Sequence, residues 1–387
     1  MQLLTLVQGQ VRLGEPLPWG VRDAVGNLLL ARGQVMQSAA QIEQLLERGA
    51  TVDIEELRAV AEAEAVRLAA ALPQRPPTLF GQWEQALWDL DRLLRSANGA
   101  APEPAAEGAL PFVERVDALA RQIMALTLRD PDIAIYLTVR QDPKRLTIYA
   151  LAHSVHCAMV SLLMARRLAW DAERTLTLLR AALTMNIGIL DLQGRLAAQA
   201  GAPSAEQIDQ IRVHPTQAVE LLIAAGVSDA LWLETVAQHH ERPDGSGYPA
   251  GLREVGELAS VLRHIDVFMA KLAPRALRKP IGAQMAARQM FQEAGGGAVP
   301  AAIIKEFGIY PPGEYVQLKS GEFGVVVRRG ASAGTPQVAC ITDRKGAPSV
   351  STRVRDTAVA EFAIASLPVD KTLVYRVPPE RLYGLPE

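Results

Sequence analysis

Helical periodicity runs nearly unbroken from Phe112 to about Phe307 and then gives way to period-two alternation. Apolar residues recur every three to four positions over Val113–Leu128, Leu146–Leu168, Ala172–Leu183, Glu206–Ala225, Asp229–His239, Leu258–Leu272 and Ala283–Glu293. Short polar breaks join these runs, so the segment predicts an all-α bundle. GEYVQLKSGEFGVVVRRG (Gly313–Gly330) then alternates, with a hairpin turn at Ser320-Gly321, and Gln337–Ile341 and Thr372–Arg376 read as further strands. No internal repeat is visible.

Ahead of the helical segment, Leu17–Val21 and Leu28–Ala31 read as strands around a turn at Asp23–Asn27. Ser38 with Gln41 three residues on forms a capping box for a helix that Gly49 ends, and Ala50–Ile54 returns as a strand. An Ala/Glu-rich helix over Glu55–Leu72 is broken by PQRPP, a second spans Phe80–Arg95, and Ser96–Pro111 has linker composition. The expected division is a small α+β module (1–55), a connector (56–111), an all-α domain (112–308) and a small β-rich element (309–387). The fold class is mainly α.

Composition narrows the function classes. In 387 residues, 49% hydrophobic content suffices for a full core, and a net charge of -2 argues against a broad nucleic-acid surface. No run of about 18 uncharged apolar residues predicts a membrane span. The N-terminal MQLLTLVQGQVRLGEP has no secretory pattern, and two widely separated cysteines, Cys157 and Cys340, match no CxxC spacing. A reducing cytoplasm is expected.

All six histidines (His153, His156, His214, His239, His240, His264) fall within the helical half. His153 lies among apolar neighbours at helical spacing. His214 precedes Pro215, His239 and His240 close a helix, and Asp266 sits in the apolar run SVLRHIDVFMAKL. Singly, each is the kind of residue that serves as a hydrogen-bonded structural group. Together, imidazoles and a carboxylate directed inward from several helices suit a bundle-core metal site, and an ion would relieve the cost of burying the carboxylate.

The string HHERPDGSGYPAGL (His239–Leu252), with the preceding His214-Pro215 and the following aspartate helix, resembles the HD-GYP domain, a subgroup of the HD phosphohydrolase superfamily. The resemblance covers roughly Ala134–Phe307 and extends weakly into YPPGEYVQLKSGEFGVVV. It implies an HD-type helical bundle holding two or three ions, Fe, Mn or Zn, and acting on cyclic di-GMP. It assigns His153, His214, His239, His240 and Asp266 as metal ligands, and Arg275 and Arg278 as substrate contacts. Glu241, Asp244, Gly245, Gly247, Tyr248 and Pro249 form a loop expected to meet a partner, such as a GGDEF-type diguanylate cyclase. A homodimer is also allowed.

The family's His-Asp-x-Gly-Lys signature departs here to Met185, Asn186, Ile187, Gly188 and Ile189, and Tyr149 stands where trinuclear members carry glutamate. A neutral amide cannot bridge two cations as a carboxylate does, a thioether is a poor ligand for hard ions, and Ile189 supplies no charge for a phosphate. The resemblance therefore implies a catalytically impaired member that holds metal at reduced occupancy or as one ion and acts by binding nucleotide or partner. A working phosphodiesterase using the remaining ligands and a metal-free helical scaffold are the alternatives.

Overall fold

The computed structural model describes residues 3–5, 13–53, 56, 60, 77–97, 110–142, 145–277, 281–367 and 377–385. The chain divides into two compact units, Met1–Pro76 and Pro77–Glu387.

The first unit contains β1 (Leu3–Thr5), β2 (Val21–Arg22), β3 (Leu28–Leu30), α1 (Ala39–Glu47) and β4 (Thr51–Asp53). Its antiparallel sheet has the order β1-β4-β2-β3. The strand predicted over Leu17–Val21 begins only at Val21, because Pro16 and Pro18 have no N–H for a ladder. Asp23 Oδ1 accepts from the Val25 and Asn27 amides at 3.0 and 2.8 Å and shapes the turn. Ser38 and Gln41 form the expected capping box, and Gly49 takes the left-handed φ of +66° after α1. Leu17, Trp19, Val21, Met36, Leu45, Ala50 and Val52 make this unit's core. β1 carried no sequence signal. Apart from Glu56 and Val60, the helix read over Glu55–Leu72 lies outside the described residues, as does most of the Ser96–Pro111 linker.

The second unit opens with α2 (Leu79–Ala97), α3 (Phe112–Arg129) and α4 (Pro131–Val139), and continues with α5 (Tyr149–Arg167), α6 (Ala172–Thr184) and α7 (Leu190–Ala198). After these come α8 (Ala205–Ala224), α9 (Ala230–Gln238), α10 (Glu257–Leu272), α11 (Ala283–Glu293) and α12 (Ala298–Phe307). Local chemistry sets the starts. Asp130, Asp171 and Asp229 cap α4, α6 and α9, and Ser204 forms a capping box with Gln207 on α8. Helix α5 is the centre of the bundle, touching α2, α3, α4, α6, α7, α10 and α12. That explains its lack of a polar face: fifteen of its nineteen residues are buried.

One described segment, Ala172–Ala198, is long and apolar enough to cross a membrane by composition, although it carries charged residues such as Glu173, Arg180 and Asp191. It is mostly buried in the protein, and a 3-10 turn at Ile187–Ile189 breaks it between α6 and α7.

The C-terminal sheet comprises β5 (Tyr315–Leu318), β6 (Phe323–Arg328), β7 (Gln337–Thr342), β8 (Pro348–Asp356) and β9 (Ile364–Ser366), in the antiparallel order β8-β7-β6-β5-β9. Alternation sends Val316, Leu318, Val326, Val338 and Cys340 to one face. It sends Tyr315, Val325, Val327, Ala339 and Ile341 into the helical core. At the β5–β6 turn a Cβ on Gly321 would lie 2.5 Å from the Arg344 carbonyl, so the position excludes a side chain. Arg328 pairs with Asp130, and Arg329 bridges Asp132 and Glu306 at 2.5 and 2.7 Å. A short helix α13 (Pro379–Leu382) follows. The strand read over Thr372–Arg376 lies outside the described residues.

Candidate metal centre

Six donor groups from four helices and their ends gather into two clusters. His214, His239 and His240 form one, and His153, Cys157 and Asp266 the other; within each, the ligand atoms lie within 4.8 Å of one another. The packing of α8 on α9 brings His214 to His239, and that of α5 on α10 brings His153 to Asp266.

The orientation of His214 follows from its neighbour. Pro215 lies inside α8 and has no N–H to give the carbonyl four residues earlier, that of Ile211. The Ile211 carbonyl instead accepts from His214 Nδ1 at 2.6 Å. His239 is fixed similarly at the end of α9, where helix carbonyls lack partners: its Nδ1 donates to the Val236 carbonyl at 2.6 Å. Carbonyl oxygens only accept, so both rings carry their proton on Nδ1. Their Nε2 atoms therefore face each other as lone pairs, and they are 3.1 Å apart.

Two unprotonated nitrogens at that distance have no hydrogen bond to make with each other. A proton or a cation between them would resolve the arrangement. Burial opposes the proton: it pushes His214 down to about 3, with His239 adding repulsion, and it lowers His239 as well. A divalent ion fits. Two nitrogens each about 2.05 Å from one ion are separated by about 2.9 Å at a right angle and about 3.3 Å at the tetrahedral angle. An Nδ1–H given to a backbone carbonyl is also the usual outer support of a metal-bound imidazole. His240, whose pKa burial likewise lowers, stacks on the Tyr248 ring at a centroid distance of 4.5 Å and meets the His239 ring at a tilt, 4.1 Å away.

In the second cluster His153 Nε2 lies 2.7 Å from Asp266 Oδ1 and 3.5 Å from Cys157 Sγ. Burial by itself would raise the Asp266 carboxyl, but the His153 hydrogen bond and the nearby imidazoles outweigh it and hold the group below the usual carboxylate range. The other oxygen, Oδ2, lies 4.0 Å from His240 Nδ1. Asp266 thus has one oxygen directed at each cluster.

Sequence reading missed Cys157. The signal was available: His153 and Cys157 are four apart on a helix and share a face.

The remaining sequence-predicted residues fall into three groups. Met185 and Asn186 are buried at the end of α6, where Met185 joins the apolar core and Asn186 Nδ2 has no hydrogen-bond partner. Ile189 is buried at the start of α7. Arg275 donates to the Tyr149 hydroxyl at 2.8 Å, and the Tyr149 ring stacks on His153 at 5.5 Å. Arg275 therefore reaches the second cluster's wall, whereas Arg278 lies outside the described residues.

The loop after His240 is built inward as much as outward. Glu241 was grouped with the partner-facing residues, but it is 1% exposed and accepts from the Ala250, Gly251 and Leu252 amides at 2.7, 3.1 and 2.9 Å. A carboxylate satisfied by three amides ties the loop to the helix end. A Cβ on Gly247 would meet the Arg242 nitrogen at 2.4 Å, so only glycine allows the chain to pass there. Gly245 takes a φ of +78°. Asp244 is exposed, and bonds from Ser246 lower its pKa. Tyr248 and Pro249 follow, and the Tyr248 ring covers His240.

Comparison with known proteins gives one family match: the HD domain model matches residues 142–298. The chain is 30% identical over 225 residues to a cyclic di-GMP phosphodiesterase of Pseudomonas aeruginosa, covering 57% of this chain and 54% of that protein. It is 22% identical over 154 residues to the cyclic di-GMP phosphodiesterase PdeB of Borreliella burgdorferi, covering 39% of this chain and 40% of that one. Identity is 27% over 175 residues to the 3'3'-cGAMP-specific phosphodiesterase 3 of Vibrio cholerae, covering 44% of this chain and 38% of that protein. The alignments thus span about half, or less, of these relatives' lengths.

Proposed function

We propose that this chain, an HD-GYP family member over its helical segment, holds divalent metal on its two donor clusters and serves cyclic-dinucleotide signalling with impaired hydrolysis. The observation that carries the metal reading is the opposed pair of Nε2 lone pairs on His214 and His239, 3.1 Å apart, each ring fixed by a backbone carbonyl. The impairment rests on Met185 and Asn186. One is apolar packing. The other offers a neutral amide whose buried Nδ2 is a donor and holds no cation.

Ions of this kind, when bound, activate water and neutralise charge on a phosphodiester. His214, His239 and His240 would hold one; His153 and Asp266 belong to the other. Tyr149 positions Arg275 beside them, where its guanidinium can meet a phosphate. Cyclic di-GMP is the first candidate ligand, since two of the three relatives carry it in their names and the third carries 3'3'-cGAMP. We place the chain in the cytoplasm, with its exposed Asp244–Ser246 tip as the contact for a GGDEF-type partner or a second copy.

One observation favours the alternative of a working phosphodiesterase. Asp266 presents Oδ1 to His153 and Oδ2 toward His240, so a carboxylate able to span two ions survives the loss of the dyad.

Elemental analysis and linearisation of cyclic di-GMP and 3'3'-cGAMP, on the full chain and on Asn186→Asp alone and with Met185→His, decide between them. Impairment predicts bound metal, slow turnover, and a rise of more than about tenfold on restoring the dyad, or about 1.4 kcal/mol of barrier. Turnover that restoration leaves unchanged selects the working enzyme. A chain without metal and without turnover selects the helical scaffold and sinks the metal reading.

A further inference from the structure

We propose that Cys157 is a metal ligand: its thiolate joins His153 and Asp266 to make the second cluster a mixed sulfur, nitrogen and oxygen site selective for zinc-like ions. This deepens the metal reading above and rests on it. His153, Cys157 and Asp266 are the only three groups that bring donor atoms together at this cluster among the described residues.

The geometry supports the assignment in two ways. A zinc ion about 2.3 Å from sulfur and about 2.05 Å from nitrogen at the tetrahedral angle separates the two donors by about 3.5 Å, and Cys157 Sγ lies 3.5 Å from His153 Nε2. Second, His153 Nε2 already shares its proton with Asp266 Oδ1 at 2.7 Å. That proton is held by the carboxylate, so the sulfur meets the ring nitrogen only in a long 3.5 Å contact. Replacing the shared proton by a cation turns all three groups toward one charge. The His153–Asp266 pair must then open from 2.7 Å by about 0.7 Å to reach a tetrahedral edge.

Chemistry sets the selectivity. Thiolate favours zinc, cobalt(II) and iron(II) over manganese and magnesium. Binding requires Cys157 to release its proton to solvent, one per ion bound. The site thus regains by a helix neighbour of His153 a ligand that Met185 and Asn186 do not supply. Cys340, the other cysteine, lies in β7 and faces the C-terminal sheet's own core.

The test is cobalt(II) titration of the chelator-stripped full chain, of Cys157→Ser and of Cys340→Ser, followed by absorption spectroscopy. Visible ligand-field bands report metal in either cluster. A near-ultraviolet thiolate-to-cobalt charge-transfer band reports Cys157. The expected result is both signals in the wild type and in Cys340→Ser. Cys157→Ser should lose the charge-transfer band, keep the visible bands of the three-histidine cluster, and bind zinc at the altered site at least about tenfold more weakly. Its preference for zinc over manganese should fall in step. Visible bands with no charge-transfer band in the wild type would overturn the assignment and leave the metal reading standing. A charge-transfer band that persists in Cys157→Ser would also overturn it. Absence of any cobalt uptake would overturn both. Should Cys157→Ser fail to fold, the Cys340→Ser chain decides, because its one remaining thiol is Cys157.

Discussion

Pro215→Ala separates the cost of the metal centre from its benefit, because the two should change with opposite sign. Proline inside a helix disfavours it by about 3 kcal/mol relative to alanine. Pro215 is buried within α8, so alanine also removes two buried methylenes, worth about 0.8 kcal/mol each. The metal-free chain should therefore gain roughly 1–1.5 kcal/mol. The new N–H at 215 reaches for the Ile211 carbonyl, which now accepts from His214 Nδ1 at 2.6 Å. With that carbonyl engaged along the helix axis, the imidazole loses its anchor. Loss of such an outer support typically weakens metal binding ten- to a hundredfold, or about 1.4–2.7 kcal/mol. Urea unfolding of the chelated chain reads the first quantity, and competition of zinc against a chromogenic chelator reads the second. A gain in metal-free stability with unchanged zinc affinity would refute the link between Pro215 and His214. A loss of metal-free stability would refute the helix argument.

Three further outcomes follow from the same geometry. Gly247→Ala places a methyl group 2.4 Å from the Arg242 nitrogen and 2.5 Å from the Glu241 Cα; thermal unfolding should show a loss of about 1–3 kcal/mol, and Tyr248 should leave His240, read as weaker metal binding in the same preparation. Glu241→Gln turns an amide donor toward the Leu252 N–H now bound at 2.9 Å; a loss of about 1.5–3 kcal/mol is expected, and a neutral denaturation result would show that the loop does not depend on the carboxylate. Stability of the chelated chain should fall as pH drops from about 6.5 toward 3, because His156 and His214 are held by burial at about 3 against an ordinary 6.5. In that window the unfolded chain binds protons that the native chain refuses, so the native state gains stability as pH rises; a flat denaturation profile between pH 4 and 6.5, on the order of this window, would contradict the buried neutral imidazoles.

Most helices of the second unit were legible from a period of 3.6, and several also from a cap within their own few residues. Asp171, Ser204 and Asp229 announce starts that the structure keeps. Less visible was α4, since Asp130-Pro131 both ends α3 and begins a new helix one residue later. The five donors His153, His214, His239, His240 and Asp266 could be named from residue types and the family string. Their division into two clusters depends on α8 meeting α9 and α5 meeting α10, which no local pattern encodes. Cys157 was hidden for a related reason. A cysteine on an apolar helix reads as packing until another helix delivers a carboxylate to it. The inward role of Glu241 was equally non-local, because its three amide donors lie nine to eleven residues further along.

The first cluster is costly for a protein that binds nothing. His214 and His239 are buried with bare nitrogens facing each other, and apolar side chains of similar shape would remove that conflict at little or no loss of stability. Of the two dyad positions, Met185 has gone that way and lies in the hydrophobic core, while Asn186 is a buried neutral amide. The histidine positions have not. They remain wired through Nδ1 to carbonyls of Ile211 and Val236, a hydrogen bond that aims Nε2 inward and would be better spent elsewhere in an ion-free helix end. A pair of bare, opposed ring nitrogens is a local conflict between sequence and structure, and such a place is where a ligand is expected to restore the balance. A scaffold without metal leaves that opposed pair unexplained; the proposed ion between the rings, with Met185 and Asn186 in the dyad positions, accounts for both.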